Sequence, residues 1–184
     1  MLYHSTRDIR LTAAPARAVL EGIAPDGGLY ICDPARLGFD WQGALRLDTL
    51  SMAAKILSAL LPDFPDMEDI VRKSYAGKFP TADLTPLVPV GDKYVLELYH
   101  GPTSAFKDVA LSVLPRLIGA AARAQGMTGD VVILTATSGD TGKAALEGFH
   151  DVKGTRIIVF YPYGGVSAVQ QAQMATQTGD NVKV

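Results

Sequence analysis

A lysine with apolar neighbours carries the strongest chemical signal in this chain. Lys107 directly follows Ala105 and Phe106, at the point where a helical pattern begins. An apolar wall favours a neutral amine, and the neutral amine is the form that reacts with a carbonyl carbon to give a Schiff base. Residues 101–104, just before it, have little bulk and leave room for a flat ring. A lysine at a helix start more often lies in solvent, so position alone does not decide between the two interpretations.

A second segment, residues 137–142, has the residue types of an anion-binding loop. It follows the apolar run 131–134, precedes another helical pattern and contains Gly139 and Gly142. Glycines allow tight turns, and backbone N–H groups at a helix start converge on anions such as carboxylates. The alternative is an ordinary strand-to-helix turn in which Asp140 or Thr141 caps the helix. A reactive amine together with an anion cradle is what pyridoxal phosphate chemistry on amino acids requires.

The two segments together resemble those of threonine synthases, which are fold-type II pyridoxal phosphate enzymes related to the tryptophan synthase β subunit. ELYHGPTSAFKD and ILTATSGDTG are similar to that family's cofactor-lysine and substrate-loop segments. Similar segments also occur as AVLEG and PDGGLY within residues 1–30, KILS at 55–58 and YPYGGVS at 161–167. The resemblance covers essentially the whole chain.

The resemblance implies a role for each part of the two segments. Lys107 would be the catalytic residue, forming the Schiff base with pyridoxal 5'-phosphate and shuttling protons once released from it. Asp140 would also bind the cofactor; cysteine synthases have Asn there, and an acid fits the threonine synthase branch better. The loop would bind the substrate α-carboxylate, and its substrate-binding residues would be Thr137, Ser138, Gly139, Asp140, Thr141 and Gly142.

The implied activity is that of a carbon–oxygen lyase acting on a phosphate ester. Threonine synthases convert O-phospho-L-homoserine and water to L-threonine and phosphate in the last step of threonine biosynthesis. One alternative is another fold-type II enzyme, such as a serine or threonine dehydratase or a cysteine synthase-like enzyme; Asp140 and the extra N-terminal domain argue against it. A second alternative is a non-catalytic threonine synthase-like protein that binds a phosphorylated small molecule, or an interaction module.

A nucleotide-binding loop is excluded although Gly142 and Lys143 invite that reading. The P-loop pattern requires glycine at position 137 and serine or threonine at position 144, where this chain has threonine and alanine. Lys143 is instead predicted to lie in solvent, with attraction of the substrate phosphate as the less favoured interpretation.

Three further polar residues have structural interpretations. His100 is predicted to be a hydrogen-bonding partner rather than an acid–base group. Asp108 is predicted to cap the helix that begins beside it, and Ser167 to cap the helix that follows the YPYGGVS turn.

Composition excludes several function classes. The chain has 184 residues and a formal net charge of −2, which argues against nucleic acid as a partner. No apolar run approaches the roughly 20 residues of a membrane helix, and the N-terminus lacks a signal-peptide pattern. A single cysteine, Cys32, and scattered histidines give no metal site. These features fit a cytoplasmic enzyme acting on a small molecule.

The hydrophobic pattern predicts an α/β fold, with a three-layer parallel sheet flanked by helices as in fold-type II enzymes. A small, mostly helical N-terminal domain of residues 1–82 precedes the first part of the catalytic domain, residues 83–184. Predicted helices lie at 48–61, 66–77, 107–125, 142–149 and 166–178, and predicted strands at 87–90, 94–99, 131–136 and 156–161.

Length sets a further expectation. Threonine synthases are much longer, and their later segments hold the cofactor phosphate and face the pyridine nitrogen. The chain is therefore predicted to be the front part of an enzyme, ending on the start of a strand, and to be inactive alone. The sequence leaves the oligomeric state open.

Overall fold

The computed structural model describes residues 1–137 and 139–184, with the backbone alone at Pro34 and Arg36. The described chain forms two compact units. The first contains Met1–Arg72 and Leu117–Thr128, and the second contains Lys73–Arg116 and Gly129–Val184. The domain boundary at residues 82–83 stays a prediction.

The first unit contains a small antiparallel sheet and short helices. Strands β1 (Tyr3–Ser5), β2 (Thr12–Ala13) and β3 (Tyr30–Ile31) pair in the order β2-β1-β3. The sequence analysis did not predict these strands, because two or three residues are too few to show an alternating pattern. The helical segments are α1 (Pro15–Glu21), a 3₁₀ turn (Pro34–Leu37), α2 (Trp41–Ala44), α3 (Thr49–Leu60) and α4 (Met67–Tyr75), whose last residues belong to the second unit.

Helices α3 and α4 confirm their prediction from sequence. The Asp48 carboxylate accepts hydrogen bonds from the backbone N–H groups of Leu50 and Ser51, both at 3.1 Å, which is why α3 begins at Thr49. Helix α4 has Glu68 and Asp69 in its first turn, where carboxylates interact favourably with the helix dipole.

The second unit begins with a hairpin of strands β4 (Leu87–Val90) and β5 (Lys93–Leu96). The prediction extended the second strand to residue 99. Strand β5 ends at Leu96, and the side chains of Glu97 and His100 hydrogen bond to each other in the loop that follows. Helix α5 (Asp108–Ala124) comes next, with Pro115 in its interior, and its residues from Leu117 on belong to the first unit.

A parallel three-stranded sheet forms the core of the second unit, as predicted. Strands β6 (Val131–Ala136), β7 (Thr155–Phe160) and β8 (Val182–Lys183) pair in that order, in register from Val131 opposite Thr155. Helix α6 (Asp140–Phe149) connects β6 to β7, and α7 (Ala168–Ala175) connects β7 to β8. The residues buried between the sheet and these helices are Leu146, Phe149, Ile157, Val159 and Met174.

The predicted bounds are close to those observed, with one shift that matters for the site. Helix α6 begins at Asp140, two residues earlier than predicted, so Asp140 and Thr141 lie inside its first turn. Within the described residues, no helix combines the length and the apolar character that crossing a membrane requires.

Candidate active site

Lys107 lies in the turn before helix α5 and is half-buried. Its Nζ atom is 4.0 Å from the centroid of the Phe106 ring. Ala105 is 8 % exposed and Phe106 is 62 % exposed, so the predicted apolar wall consists of one buried methyl group and one largely exposed ring. The amine therefore stands against a flat apolar surface, which attracts it as an ammonium ion and removes water from one of its sides.

The loop before Lys107 is folded around the carboxylate of Asp108. Asp108 is 2 % exposed, and its oxygens accept hydrogen bonds from the backbone N–H of Thr103 at 2.8 Å and from the Thr103 hydroxyl at 2.6 Å. A Cβ atom at Gly101 would lie only 2.7 Å from Cγ of Asp108, so this approach requires glycine. Ser104 has a φ of +58°, the left-handed conformation that lets the loop turn back.

Asp108 thus corrects its predicted role as a helix cap. It is the first residue of α5, and its carboxylate binds the preceding loop rather than the N–H groups of the helix. The physical reason is that Thr103 offers two donors where the chain turns back, and a carboxylate with two short donors is strongly stabilised. The position of Lys107, one residue earlier, follows from this anchoring.

Lys78 is a charged neighbour of this region that the sequence analysis did not identify. Burial lowers the pKa of Lys78 below its ordinary value, and so does the nearby guanidinium of Arg116, whereas Glu147 and Asp108 raise it. Nε of Arg116 is buried and has no hydrogen-bond partner among the described residues. The buried carboxylate of Asp108 is therefore close enough to Lys78 for the two charges to interact.

The second predicted segment forms a tight connection between β6 and α6. Oγ1 of Thr137 accepts hydrogen bonds from the N–H groups of Gly139 and Gly142, both at 3.2 Å. A Cβ atom at Gly142 would lie 3.1 Å from Val159, and it would overlap Thr137. Two glycine N–H groups of the predicted cradle therefore already converge on one oxygen atom. The predicted Ser138 lies outside the described residues.

The helix cap at this connection differs from the predicted alternative. Gly139 is the N-cap of α6 and has no side chain of its own to cap the helix, so neither Asp140 nor Thr141 is the cap residue. Asp140 is exposed and Thr141 is half-buried. The structure thus brings Thr137, Gly139, Asp140, Thr141 and Gly142 together in one short loop.

Asp140 has a partner that the sequence analysis missed. Its Oδ1 accepts a hydrogen bond of 3.0 Å from Nε2 of Gln170, in the first turn of α7. Ser167 is the N-cap of α7, as predicted, and it forms a capping box with Gln170. The only sequence signal was the spacing of Ser167 and Gln170, which indicates a capping box but not a contact with Asp140.

Lys143 is not in solvent, so that prediction was wrong. Its side chain is 17 % exposed, its amine donates a hydrogen bond to Gln177, and Glu147 lies 3.9 Å away. Nε2 of Gln177 also donates to Glu147 at 3.3 Å. The amine is covered because α7 packs against α6, a long-range contact that a single helical segment does not reveal.

His100 has the hydrogen-bonding role predicted for it. Nε2 of His100 is 2.7 Å from Oε2 of Glu97, and its ring stacks on Tyr99 with the centroids 4.7 Å apart. Hydrogen bonds from His100 and then from Tyr99 lower the pKa of Glu97 below its ordinary value. These contacts hold residues 97–100 together just before the loop that begins at residue 101.

Comparison with known proteins gives one consistent result. Residues 2–75 match the family described as "Threonine synthase N terminus". The chain is 38 % identical to the threonine synthase of Pseudomonas aeruginosa, over 99 % of this chain and 39 % of that protein. It is 35 % identical to the solved threonine synthase from yeast, with a TM-score of 0.84 over 100 % of this chain and 40 % of that one.

A solved structure that contains the cofactor is also similar to this chain. Pyridoxal phosphate-bound threonine synthase from Brucella melitensis matches with a TM-score of 0.81 and 35 % identity, over 95 % of this chain and 38 % of that one. The chain thus spans about two fifths of the length of the proteins it matches.

Proposed function

The chain has the sequence and the fold of the N-terminal part of threonine synthases, and we propose that it supplies the cofactor lysine and the substrate-carboxylate loop of such an enzyme. The reaction is the conversion of O-phospho-L-homoserine and water to L-threonine and phosphate, carried out in the cytoplasm. The observation that carries the proposal is the anchored Lys107 amine beside Phe106, in the segment that the resemblance assigns to the cofactor.

The donor set fits pyridoxal phosphate. Lys107 provides the amine, the Phe106 ring provides an apolar surface against it, and the loop at 137–142 provides N–H groups for an anion. When bound, this cofactor supplies an electron sink for the carbon atoms of an amino acid. The residues that would hold it in this chain are Lys107 and, through its carboxylate, Asp140.

Lys107 would act as the proton carrier of the reaction. Nζ, once neutral, accepts a proton from Cα of the substrate, and as an ammonium group it returns a proton to the carbon skeleton. The backbone at Lys107 is held in place by the next residue, because Asp108 is buried and accepts hydrogen bonds from the preceding loop. A fixed backbone sets the region that the amine can reach, and a proton carrier held near its substrate transfers protons faster than a free one.

The loop would orient the substrate through its α-carboxylate. The N–H groups of Gly139 and Gly142 donate to a neutral hydroxyl at 3.2 Å, a long hydrogen bond. A carboxylate is a stronger acceptor than a hydroxyl group, so the incoming substrate can replace Thr137 at these donors. The released hydroxyl can then itself donate to the carboxylate, together with those of Ser138 and Thr141.

Turnover would require more protein than this chain. The relatives are about two and a half times as long, since this chain spans 38–40 % of them. We therefore propose that the chain alone gives no phosphohomoserine-dependent phosphate release, and that the longer protein does.

The test is to incubate the chain with pyridoxal phosphate, reduce with borohydride and map the modified peptide by mass spectrometry. Stoichiometric label at Lys107 is the expected result, because the resemblance assigns the cofactor lysine to this position and the Asp108 anchor holds the backbone beside it. Lys143→Arg serves as a matched control. Lys143 lies in α6, where Gln177 and Glu147 hold its amine, so the label at Lys107 should be the same in this variant.

Label spread over many lysines, or unchanged label in Lys107→Arg, would contradict the cofactor assignment. For the longer protein, phosphate release from O-phospho-L-homoserine is compared with turnover of serine and threonine. Preference for serine or threonine would assign the protein to the dehydratases instead.

A further inference from the structure

The side chain of Gln170 makes more contacts than its helix cap requires. In the capping box, Oε1 of Gln170 accepts a hydrogen bond from the Ser167 N–H at 3.1 Å, and the Gln170 N–H donates to Oγ of Ser167 at 3.2 Å. These bonds use the backbone and the oxygen of Gln170. The amide nitrogen is left over, and it donates to Oδ1 of Asp140 at 3.0 Å.

The same amide group fills the space beside Gly139. A Cβ atom on Gly139 would lie 2.7 Å from Cδ of Gln170, so the loop backbone and the amide are in direct contact. Gln170 thus touches both the N-cap residue and the first residue of α6. Its position in the sequence is 30 residues away from Asp140.

We propose that Gln170 is a positioning residue that holds residues 139–142, at the start of α6, in the shape required to bind the substrate carboxylate. The role rests on the proposed function of that loop. The hydrogen bond fixes the side chain of Asp140, and the contact at Gly139 fixes the backbone whose N–H group faces Thr137. The backbone N–H of Ser167 in turn holds the oxygen of the amide in place, so α7 sets the geometry of the start of α6.

The side chain at position 170 must be uncharged for this role. An amide can donate to Asp140 and adds no charge near the N-terminus of α6. A glutamate at position 170 would keep the acceptor for the Ser167 N–H but would place a second carboxylate against Asp140. Like charges at hydrogen-bonding distance repel each other and would also repel an incoming carboxylate. The proposal therefore predicts that Gln170→Glu raises the KM for O-phospho-L-homoserine more than Gln170→Ala does.

Two control variants separate positioning from helix capping. Gln171 is the neighbouring glutamine of α7 and is exposed, so Gln171→Ala makes the same chemical change without the contact. Ser167→Ala removes the hydroxyl of the cap and keeps the amide of Gln170, so it tests the capping contribution alone.

The first measurement is hydrogen exchange, followed by mass spectrometry, in the full chain. Gln170→Ala is expected to raise the exchange rate of residues 139–143 by roughly tenfold, the loss expected from one hydrogen bond. Gln171→Ala should leave that rate unchanged, and Ser167→Ala should act on α7 instead. An unchanged loop in Gln170→Ala, or equal loop effects of Ser167→Ala and Gln170→Ala, would overturn the proposal.

The second measurement uses the longer enzyme. Gln170→Ala is expected to raise KM for O-phospho-L-homoserine by roughly tenfold with a smaller change in kcat, and the effect should be smaller in an Asp140→Ala background, where only the contact at Gly139 is left to lose. A fall in kcat with unchanged KM would overturn the positioning role. If the unmodified enzyme does not turn over phosphohomoserine at all, the proposed function fails, and the exchange measurement still decides how Gln170 acts on the loop.

Discussion

Lys107 lies between two residues with different effects on it. Phe106 places an aromatic face 4.0 Å from the amine, and Asp108 anchors the backbone through Thr103. The first contact sets the surroundings of the reactive group, and the second sets where its stem begins. The chemistry proposed for this lysine therefore depends on a buried carboxylate that contacts neither its amine nor, in our proposal, the substrate.

Asp108→Asn tests this anchoring. The amide oxygen keeps the bond from the Thr103 N–H, and the N–H₂ group turns towards the Thr103 hydroxyl, which then accepts instead of donating to a carboxylate. Hydrogen bonds to a charged group contribute about 1.5–3 kcal/mol, against about 1 kcal/mol for neutral pairs, so we expect a loss of about 1–2 kcal/mol in the free energy of unfolding, with slower labelling of Lys107 by pyridoxal phosphate. Chemical denaturation and borohydride trapping measure the two effects.

Thr103→Val is the matched control for that experiment, because it removes one donor and keeps the carboxylate. A double-mutant cycle between positions 103 and 108 should show coupling. Additive losses, or normal labelling of Lys107 in Asp108→Asn, would contradict the anchoring role.

At the scale of elements, contacts between helices α4, α5, α6 and α7 hold the two candidate functional segments, which precede α5 and α6. The hydroxyl group of Tyr75, at the end of α4, donates to the carbonyl of Val109 in the first turn of α5 at 2.8 Å. A Cβ atom at Gly148 would lie 2.9 Å from the carbonyl carbon of Leu111, so α6 and α5 are in close contact there. Lys143, Glu147 and Gln177 join α6 to α7.

Tyr75→Phe tests the link between α4 and α5. The lost hydrogen bond should lower the free energy of unfolding by about 1 kcal/mol. Burial raises the pKa of Tyr75 to about 12. Since this folded pKa lies above the ordinary value of 10.0, the stability from the neutral hydroxyl is complete below pH 10.0 and is lost as pH rises to about 12.

The difference in unfolding free energy between the original chain and Tyr75→Phe should therefore shrink as pH rises through that window. Denaturation at several alkaline pH values measures it. A difference that stays constant with pH would show that ionisation of Tyr75 is not coupled to folding.

At the scale of the whole molecule, the two faces of the parallel sheet differ. Ile157 and Val159 are 0 % and 2 % exposed on the face that packs against helices, whereas Leu134 and Phe160 on the other face are 66 % and 59 % exposed. Parallel sheets in α/β proteins normally have both faces covered. The stability of the sheet in this chain must therefore come from one face.

A pair of substitutions on the sheet tests this asymmetry. Ile157→Ala should cost about 2–5 kcal/mol because it leaves a cavity in the packed face, and Leu134→Ala should stay within about 0.5 kcal/mol because its side chain is mostly in solvent. Urea unfolding of the full chain measures both. Similar losses for the two variants would show that the second face is also covered.

Local patterns in the sequence were sufficient for several parts of the fold and site. The apolar run at Val131 and the glycines after it predicted β6 and the loop, because a buried strand and a tight turn each depend on neighbouring residues. The start of α3 at Asp48 and the N-cap at Ser167 were also predictable, since a cap involves residues within one turn. The two functional segments stand out for the same reason.

Tertiary structure alone decided which distant side chains meet. Gln170 contacts Asp140 and Gln177 contacts Lys143 only because α7 packs against α6, and the exposed Leu134 follows from which sheet face those helices cover. Such contacts depend on the packing of whole elements, whose free energy is spread over many residues and leaves no local pattern. The chemistry proposed for Lys107 and for the loop thus comes from the sequence, and the contacts that distant residues make with the loop were decided by the tertiary structure.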